Sequence, residues 1–166
     1  VEDEELARRA RIDVNREKFS GYYGSGRIAS QSVVLLKPLT FMNRSGQSVV
    51  AAAQFFKVRA NAIIVIHDEL DQQFSQTRLK LGGGHAGHNG LRSIINLTGS
   101  KEFIRVRMGI GRPRHGDVSR YVLSGFSSPD ETAWLPGFVA DGADAVEYVL
   151  REGVQMAMNK VNAPAR

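Results

Sequence analysis

The sequence contains no cysteine, which excludes disulfides, thiolate nucleophiles and cysteine-ligated zinc sites together. That composition fits a reducing compartment. No apolar run approaches the roughly 18 residues that a membrane-spanning helix needs. No basic-then-apolar leader opens the chain. A cytoplasmic protein without membrane association is therefore expected. No Gly-Lys-Ser/Thr follows the glycine-rich stretch, so a Walker-type phosphate loop is excluded. Gly24-Ser25-Gly26 is too short for a Gly-x-Ser-x-Gly nucleophile elbow. Repeats, low-complexity tracts and Pro/Ser-rich linkers are missing as well, and 42% hydrophobic content suffices for a core, so one domain over residues 1–166 is expected.

What the chain does have is concentrated in Gly82-Gly83-Gly84-His85-Ala86-Gly87-His88-Asn89-Gly90. Glycines at this density are tolerated where a ligand approaches the backbone or φ turns positive. The loop runs into Leu91-Arg92-Ser93-Ile94-Ile95, whose apolar spacing is helical. His and Asn side chains thus sit beside the N–H groups of a helix N-terminus, an arrangement suited to an anion or a polarised carbonyl.

The net charge of +5 is unevenly spread. Between Arg78 and Arg120 nine basic residues face Glu102 and Asp117, a balance of +7 that leaves the rest at −2. An acidic partner is implied. In Phe103-Ile104-Arg105-Val106-Arg107-Met108-Gly109-Ile110 apolar residues alternate with arginines. A strand here buries Ile104, Val106 and Met108 and presents Arg105 and Arg107 together, two guanidiniums suited to phosphate.

Along the chain, an opening helix carries Leu6 and Ala10 on one side. Phe19 to Ile28 and Ser32 to Leu36 read as strands, and Ser45 to Lys57 as an amphipathic helix with Ser45 as N-cap and Val49, Ala52, Ala53 and Phe56 inward. Ala62 to Ile66 is an apolar strand stopping at His67-Asp68-Glu69-Leu70-Asp71. Polar residues at the carboxyl end of a buried strand mark where open α/β sheets place their sites. Arg78 to Leu81 and 103–110 read as further strands. Asp130 to Trp134, Val139 to Arg151 beyond an interruption at Pro136, and Gln155 to Asn162 read as helices. Strands alternating with helices indicate an α/β fold with a mixed sheet.

Three clusters carry chemistry: the glycine loop, Pro38-Leu39-Thr40-Phe41-Met42-Asn43-Arg44-Ser45-Gly46, and His67-Asp68-Glu69-Leu70-Asp71. Asn43 taken alone is more often a turn residue, Asp68 equally a cap or brace, and His67 and His85 are more often hydrogen-bonded structural groups. Metal binding is disfavoured because His85 and His88 lie in a glycine loop without the helical i,i+4 spacing that fixes two imidazoles on one ion. What survives is a hydrolase needing neither metal, cofactor nor covalent intermediate, in which a His activates water, a carboxylate fixes its tautomer and Asn amides hold a carbonyl.

Thr40-Phe41-Met42-Asn43, Ile66 to Asp71, Lys80 to Leu91 and Arg105-Val106-Arg107-Met108-Gly109-Ile110-Gly111 occur here in order. Through them the chain resembles the bacterial peptidyl-tRNA hydrolase family over essentially its whole length. The resemblance implies a single α/β domain with a twisted mixed sheet flanked by helices, and hydrolysis of the ester joining a peptide to tRNA, with peptidyl-tRNA as partner and a monomeric enzyme. It implies that Asp68 orients the catalytic His and that Asn43 and Asn89 bind the peptide main chain and position water. Phe41 and Met42 are then walls of the peptide channel, His88 supports the same cleft or props the loop, and Lys80 and Arg107 clamp the tRNA 5′-phosphate. The family's catalytic His belongs to a Gly-Asn-Pro-Gly … Thr-Arg-His-Asn segment, and neither half occurs in these 166 residues. Val1 onward matches the helix after it, so a piece of a longer protein, lacking the first strand and loop, is expected. Gln72-Gln73-Phe74-Ser75 also replaces the Pro-Pro-Gly turn of many relatives. The alternative from another class is a non-hydrolytic RNA-binding relative of the kind that serves intron splicing. Asp68, Asn43 and Asn89 favour the enzyme, because an RNA-binding module has no need of a base-orienting carboxylate.

Overall fold

The computed structural model describes residues 2–39, 44–69, 76–85, 87–109 and 135–163. The opening helix, α1 (Glu2–Ala10), turns Leu6 fully into the core. Its polar side is tied by Glu5, which accepts from Arg8 at 2.6 Å and from Arg9 at 2.9 Å. These two guanidiniums hold the Glu5 carboxyl down at about 2.

Three antiparallel strands follow, β1 (Arg16–Lys18), β2 (Gly21–Ile28) and β3 (Gln31–Pro38), in the order β1-β2-β3. β2 begins later than the apolar pattern suggests because Phe19 and Ser20 both adopt positive φ in the turn from β1. β1 itself carries no apolar alternation, being an edge strand exposed on all three residues.

Helix α2 (Ser45–Phe56) is capped by Arg44 rather than Ser45, which is its first helical residue, and Arg44 makes no side-chain cap hydrogen bond. A short 3-10 turn, Ala60–Ala62, leads to β4 (Ile64–Glu69). The strand does not stop at His67 but continues in register through Glu69. β5 (Thr77–Leu81), α3 (Asn89–Thr98) and β6 (Ile104–Gly109) come next. β6 inserts between β4, parallel to it, and β5, antiparallel to it. The mixed α/β architecture thus distributes its described strands between two three-stranded sheets.

The C-terminal part forms α4 (Leu135–Glu152) and α5 (Val154–Val161). Pro136 does not interrupt α4, because it falls in the first turn, where no backbone donor is required. The segment expected as a helix at 130–134 lies outside the described residues.

One face of the β4-β6-β5 sheet is apolar. Leu79, Ile104, Val106 and Met108 join Leu6, Ile12, Ala143, Val146 and Ala157 in the main core; α4 and α5 lie against this face, and α1 packs on α4. Arg9 fastens the two helices, donating to Asp144 at 2.8 Å and Glu147 at 2.7 Å. At the outer edge Asn162 exchanges two hydrogen bonds with the Leu79 backbone, 2.9 and 2.8 Å, and so satisfies main-chain groups that an edge strand leaves open.

The opposite face is apolar at one end and charged at the other. Val65 joins Phe103, Leu91 and Ile94 in a second cluster beneath α2 and α3. These helices approach closely because Gly46 has no side chain: a Cβ there would lie 2.3 Å from the Ser93 carbonyl oxygen. The gap is bridged instead by the Gly46 N–H donating to Ser93 Oγ at 2.8 Å.

Candidate functional site

Strand register decides which charged side chains meet. In the parallel β4–β6 pair Val65 lies opposite Arg105, His67 opposite Arg107 and Glu69 opposite Gly109. In the antiparallel β5–β6 pair Arg78 lies opposite Arg107 and Lys80 opposite Arg105. Residues in register share a face, so His67, Glu69, Lys80, Arg105 and Arg107 all project from the side that α3 and the glycine loop cover. They line one small cleft with Gly84 and His85.

Glu69 is buried and lies 3.6 Å from an Arg107 guanidinium nitrogen. His67 is buried too, and its ring meets the His88 ring edge-on with centroids 5.1 Å apart. His88 is the N-cap of α3, its Nδ1 accepting from the Leu91 N–H at 3.2 Å. An acceptor Nδ1 is an unprotonated one. Burial pushes the His88 pKa down, opposed by the nearby Glu69 carboxylate, and thereby favours this neutral cap. His85 Nδ1 likewise accepts from the Gly87 N–H, at 3.0 Å. Asn89 is exposed at the first residue of α3, its Oδ1 accepting from Arg92 Nη2 at 2.7 Å.

Arg105 differs from the sequence expectation. It shares a face with Arg107, yet it is 2% exposed and donates to the Gly84 and Gly83 carbonyls, the latter at 2.5 Å. Its guanidinium carbon lies 4.4 Å from the centre of the Phe103 ring. Alternation placed both arginines on one face, but the glycine loop folds over that face and encloses one of them. Of the pair, Arg107 keeps partial exposure beside exposed Lys80.

Among the remaining candidates, Asp68 sits in β4 in register with Met108, its side chain outside the described atoms. Phe41, Met42 and Asn43 lie outside the described residues, immediately before α2. Glu69 was not singled out by sequence. The signal was available, since a strand continuing past Ile66 puts His67 and Glu69 on the same face. Among the described residues no three His, Asp or Glu gather at metal-ligating separation.

The family model described as peptidyl-tRNA hydrolase matches residues 3–166. The chain belongs to the peptidyl-tRNA hydrolase family. It is similar to the peptidyl-tRNA hydrolase of Geotalea daltonii, 49% identical over 157 residues that cover 95% of this chain and 82% of that one. A Sorangium cellulosum member is 51% identical over 160 residues, 95% of this chain and 71% of its own. The crystal structure of the Acinetobacter baumannii peptidyl-tRNA hydrolase superposes with a TM-score of 0.88 at 41% identity, covering 98% of this chain and 83% of that one. The mixed α/β fold is therefore that of the family.

Proposed function

We propose that this chain hydrolyses the ester between a peptide and the 3′ end of its tRNA, with no metal and no covalent intermediate. The observation that carries the reading is the convergence of Lys80, Arg107, Glu69, His67 and His88 on one sheet face under the glycine loop, in a chain that belongs to this family.

Lys80 and Arg107 clamp the tRNA 5′-phosphate. Arg107 is held toward the cleft by Glu69, and exposed Lys80 on the adjacent strand lines the same cleft, so two cations face the space offered to one phosphate. Asn43 and Asn89 bind the peptide main chain, Phe41 and Met42 wall its channel, and neutral His88 fixes the loop and helix end that present Asn89. By the family pattern the base is the His of the Thr-Arg-His-Asn segment, absent from these 166 residues. That His takes a proton from water, and the water oxygen attacks the ester carbonyl. Asn amide N–H groups stabilise the oxyanion, and the ribose 3′-oxygen leaves with the proton. Asp68 holds the imidazole in the required tautomer. We read residues 1–166 as one domain, acting as a monomer in the cytoplasm. The family match over residues 3–166 supports one domain, and a chain without cysteine fits a reducing compartment.

The test is turnover of N-acetyl-aminoacyl-tRNA by the 166 residues joined to a family segment carrying Gly-Asn-Pro-Gly and Thr-Arg-His-Asn. Asp68→Asn should lower kcat by roughly 10-fold or more with little change in KM, because an amide neither fixes that tautomer nor stabilises the imidazolium. Robust turnover by the 166 residues alone would mean that the base lies among them and would overturn the mechanism.

A further inference from the structure

Arg105 is an unusual core residue. Its acceptors among the described residues are main-chain carbonyls: Gly84, Gly83 at 2.5 Å and, more distantly, Lys101 at 3.3 Å. Burial and the neighbouring Arg107 push its pKa down from the ordinary arginine range, with Glu102 opposing. A buried cation compensated by neutral dipoles is a poor way to fill a core, since an apolar side chain of similar volume packs there at lower free energy. What a guanidinium supplies instead is a rigid fork of donors that fixes two consecutive carbonyls at once.

Those two carbonyls belong to the loop that borders the cleft. A Cβ at Gly83 would lie 2.8 Å from Lys80 Cε and 2.9 Å from Nζ, so the Lys80 ammonium rests against the backbone that Arg105 holds. On the other side the loop is tied in short steps to α3: the His85 carbonyl accepts from the His88 N–H at 2.8 Å, and His88 caps the helix that begins with Asn89.

We propose that Arg105 is the positioning residue of the substrate loop, setting through the Gly83 and Gly84 carbonyls where His88 and Asn89 meet the peptidyl end. This rests on the functional reading above. Arg105 itself touches neither ligand.

The experiment uses the extended chain of the hydrolysis assay and two probes: a non-hydrolysable N-acetyl-aminoacyl-adenosine amide for the peptidyl end, and 5′-phosphorylated deacylated tRNA titrated across salt concentration. Arg105→Met should weaken the adenosine probe by about 10- to 100-fold, the scale on which a misplaced binding loop acts. It should leave the slope of log Kd for tRNA against log salt unchanged, whereas Lys80→Ala should reduce that slope by about 1 because a phosphate contact is lost. Arg105→Lys, which keeps the charge and some donors, should recover part of the affinity. Amide exchange of residues 82–90 should accelerate in Arg105→Met while that of α4 does not. If Arg105→Met destabilises the whole fold, Arg105→Lys carries the same comparison with a smaller expected loss. A reduced salt slope in either Arg105 variant would make Arg105 a phosphate ligand and overturn the proposal. Unchanged probe affinity with unchanged exchange at 82–90 would overturn it as well. Failure of the unsubstituted protein to bind the adenosine probe would remove the functional reading first, and this inference with it, a result recognisable because no variant is involved.

Discussion

Gly46→Ala tests the link between packing and the site most directly. Gly46 is the second residue of α2, and the alanine Cβ would stand 2.3 Å from the Ser93 carbonyl oxygen and 2.8 Å from its Oγ. Ordinary contact begins near 3.4 Å, so the two helices must separate by about 1 Å. The obstacle is backbone, which no rotamer change relieves. Overpacking of this kind costs roughly 1–3 kcal/mol, and stretching the Gly46 N–H bond to Ser93 Oγ adds about 1 kcal/mol. The gain from replacing a helical glycine offsets about 1 kcal/mol. A net loss of about 2 kcal/mol corresponds to a Tm lower by about 4–8 °C for a chain of this size. Because α2 begins just after Asn43 and α3 begins with Asn89, the same separation should weaken binding of the adenosine probe. Calorimetry and probe titration measure the two effects. Gly84→Ala is the thermodynamic control: its Cβ would meet nothing within 4 Å, and its Tm should stay within about 1 °C. Equal Tm values for Gly46→Ala and the parent would refute the argument that the close α2–α3 approach requires glycine.

In the extended chain, Lys80→Ala and Arg107→Ala should each raise KM for peptidyl-tRNA with little change in kcat, and the difference from the parent should shrink as salt rises. A phosphate remote from the ester is bound equally in ground and transition states, and loss of kcat at constant KM would refute the clamp. Stability should fall as pH drops below the ordinary histidine value of 6.5, because the unfolded chain takes up a proton that buried His88 resists until pH reaches its lower folded pKa. His88→Asn, which keeps an N-cap acceptor, should flatten that part of the Tm-against-pH curve, and an unchanged slope would assign the dependence elsewhere. Turnover should persist in excess EDTA, since His85 and His88 each commit Nδ1 to a backbone N–H, and activity lost on chelation and restored by zinc would revive a metal mechanism.

Much of this was legible in the sequence because period and punctuation are local. The apolar runs at 32–36 and 62–66, the helical spacing of Leu91, Ile94 and Ile95, and the glycine loop each announce an element within a few residues. What depends on tertiary closure was not. Arg105 and Arg107 are equivalent by alternation, and what separates them is a loop more than 20 residues earlier that covers one and not the other. β1 is written in Arg16-Glu17-Lys18, with no apolar face to betray it, because its pairing groups, not its side chains, hold it to β2. β4 looked finished at Ile66 because His67 and Glu69 are polar, yet both are buried, each beside a partner supplied by another element.

The placement of β6 between β4 and β5 has a consequence for the order in which the protein comes into being. Ribosomes deliver β4 first, then β5 and α3, and the strand that belongs between the first two last. Until residues 104–109 have emerged, β4 and β5 each lack the strand that they pair with among the described residues. Lys80 and His67 already exist by then but have no common surface to stand on. Insertion of one six-residue strand supplies Arg107, joins the two orphans and brings Arg105 under the glycine loop in a single event. The face proposed to bind tRNA is therefore not assembled piecemeal during synthesis. It is absent until β6 arrives and complete in its described parts once β6 has paired, which leaves no intermediate in which half a clamp is displayed.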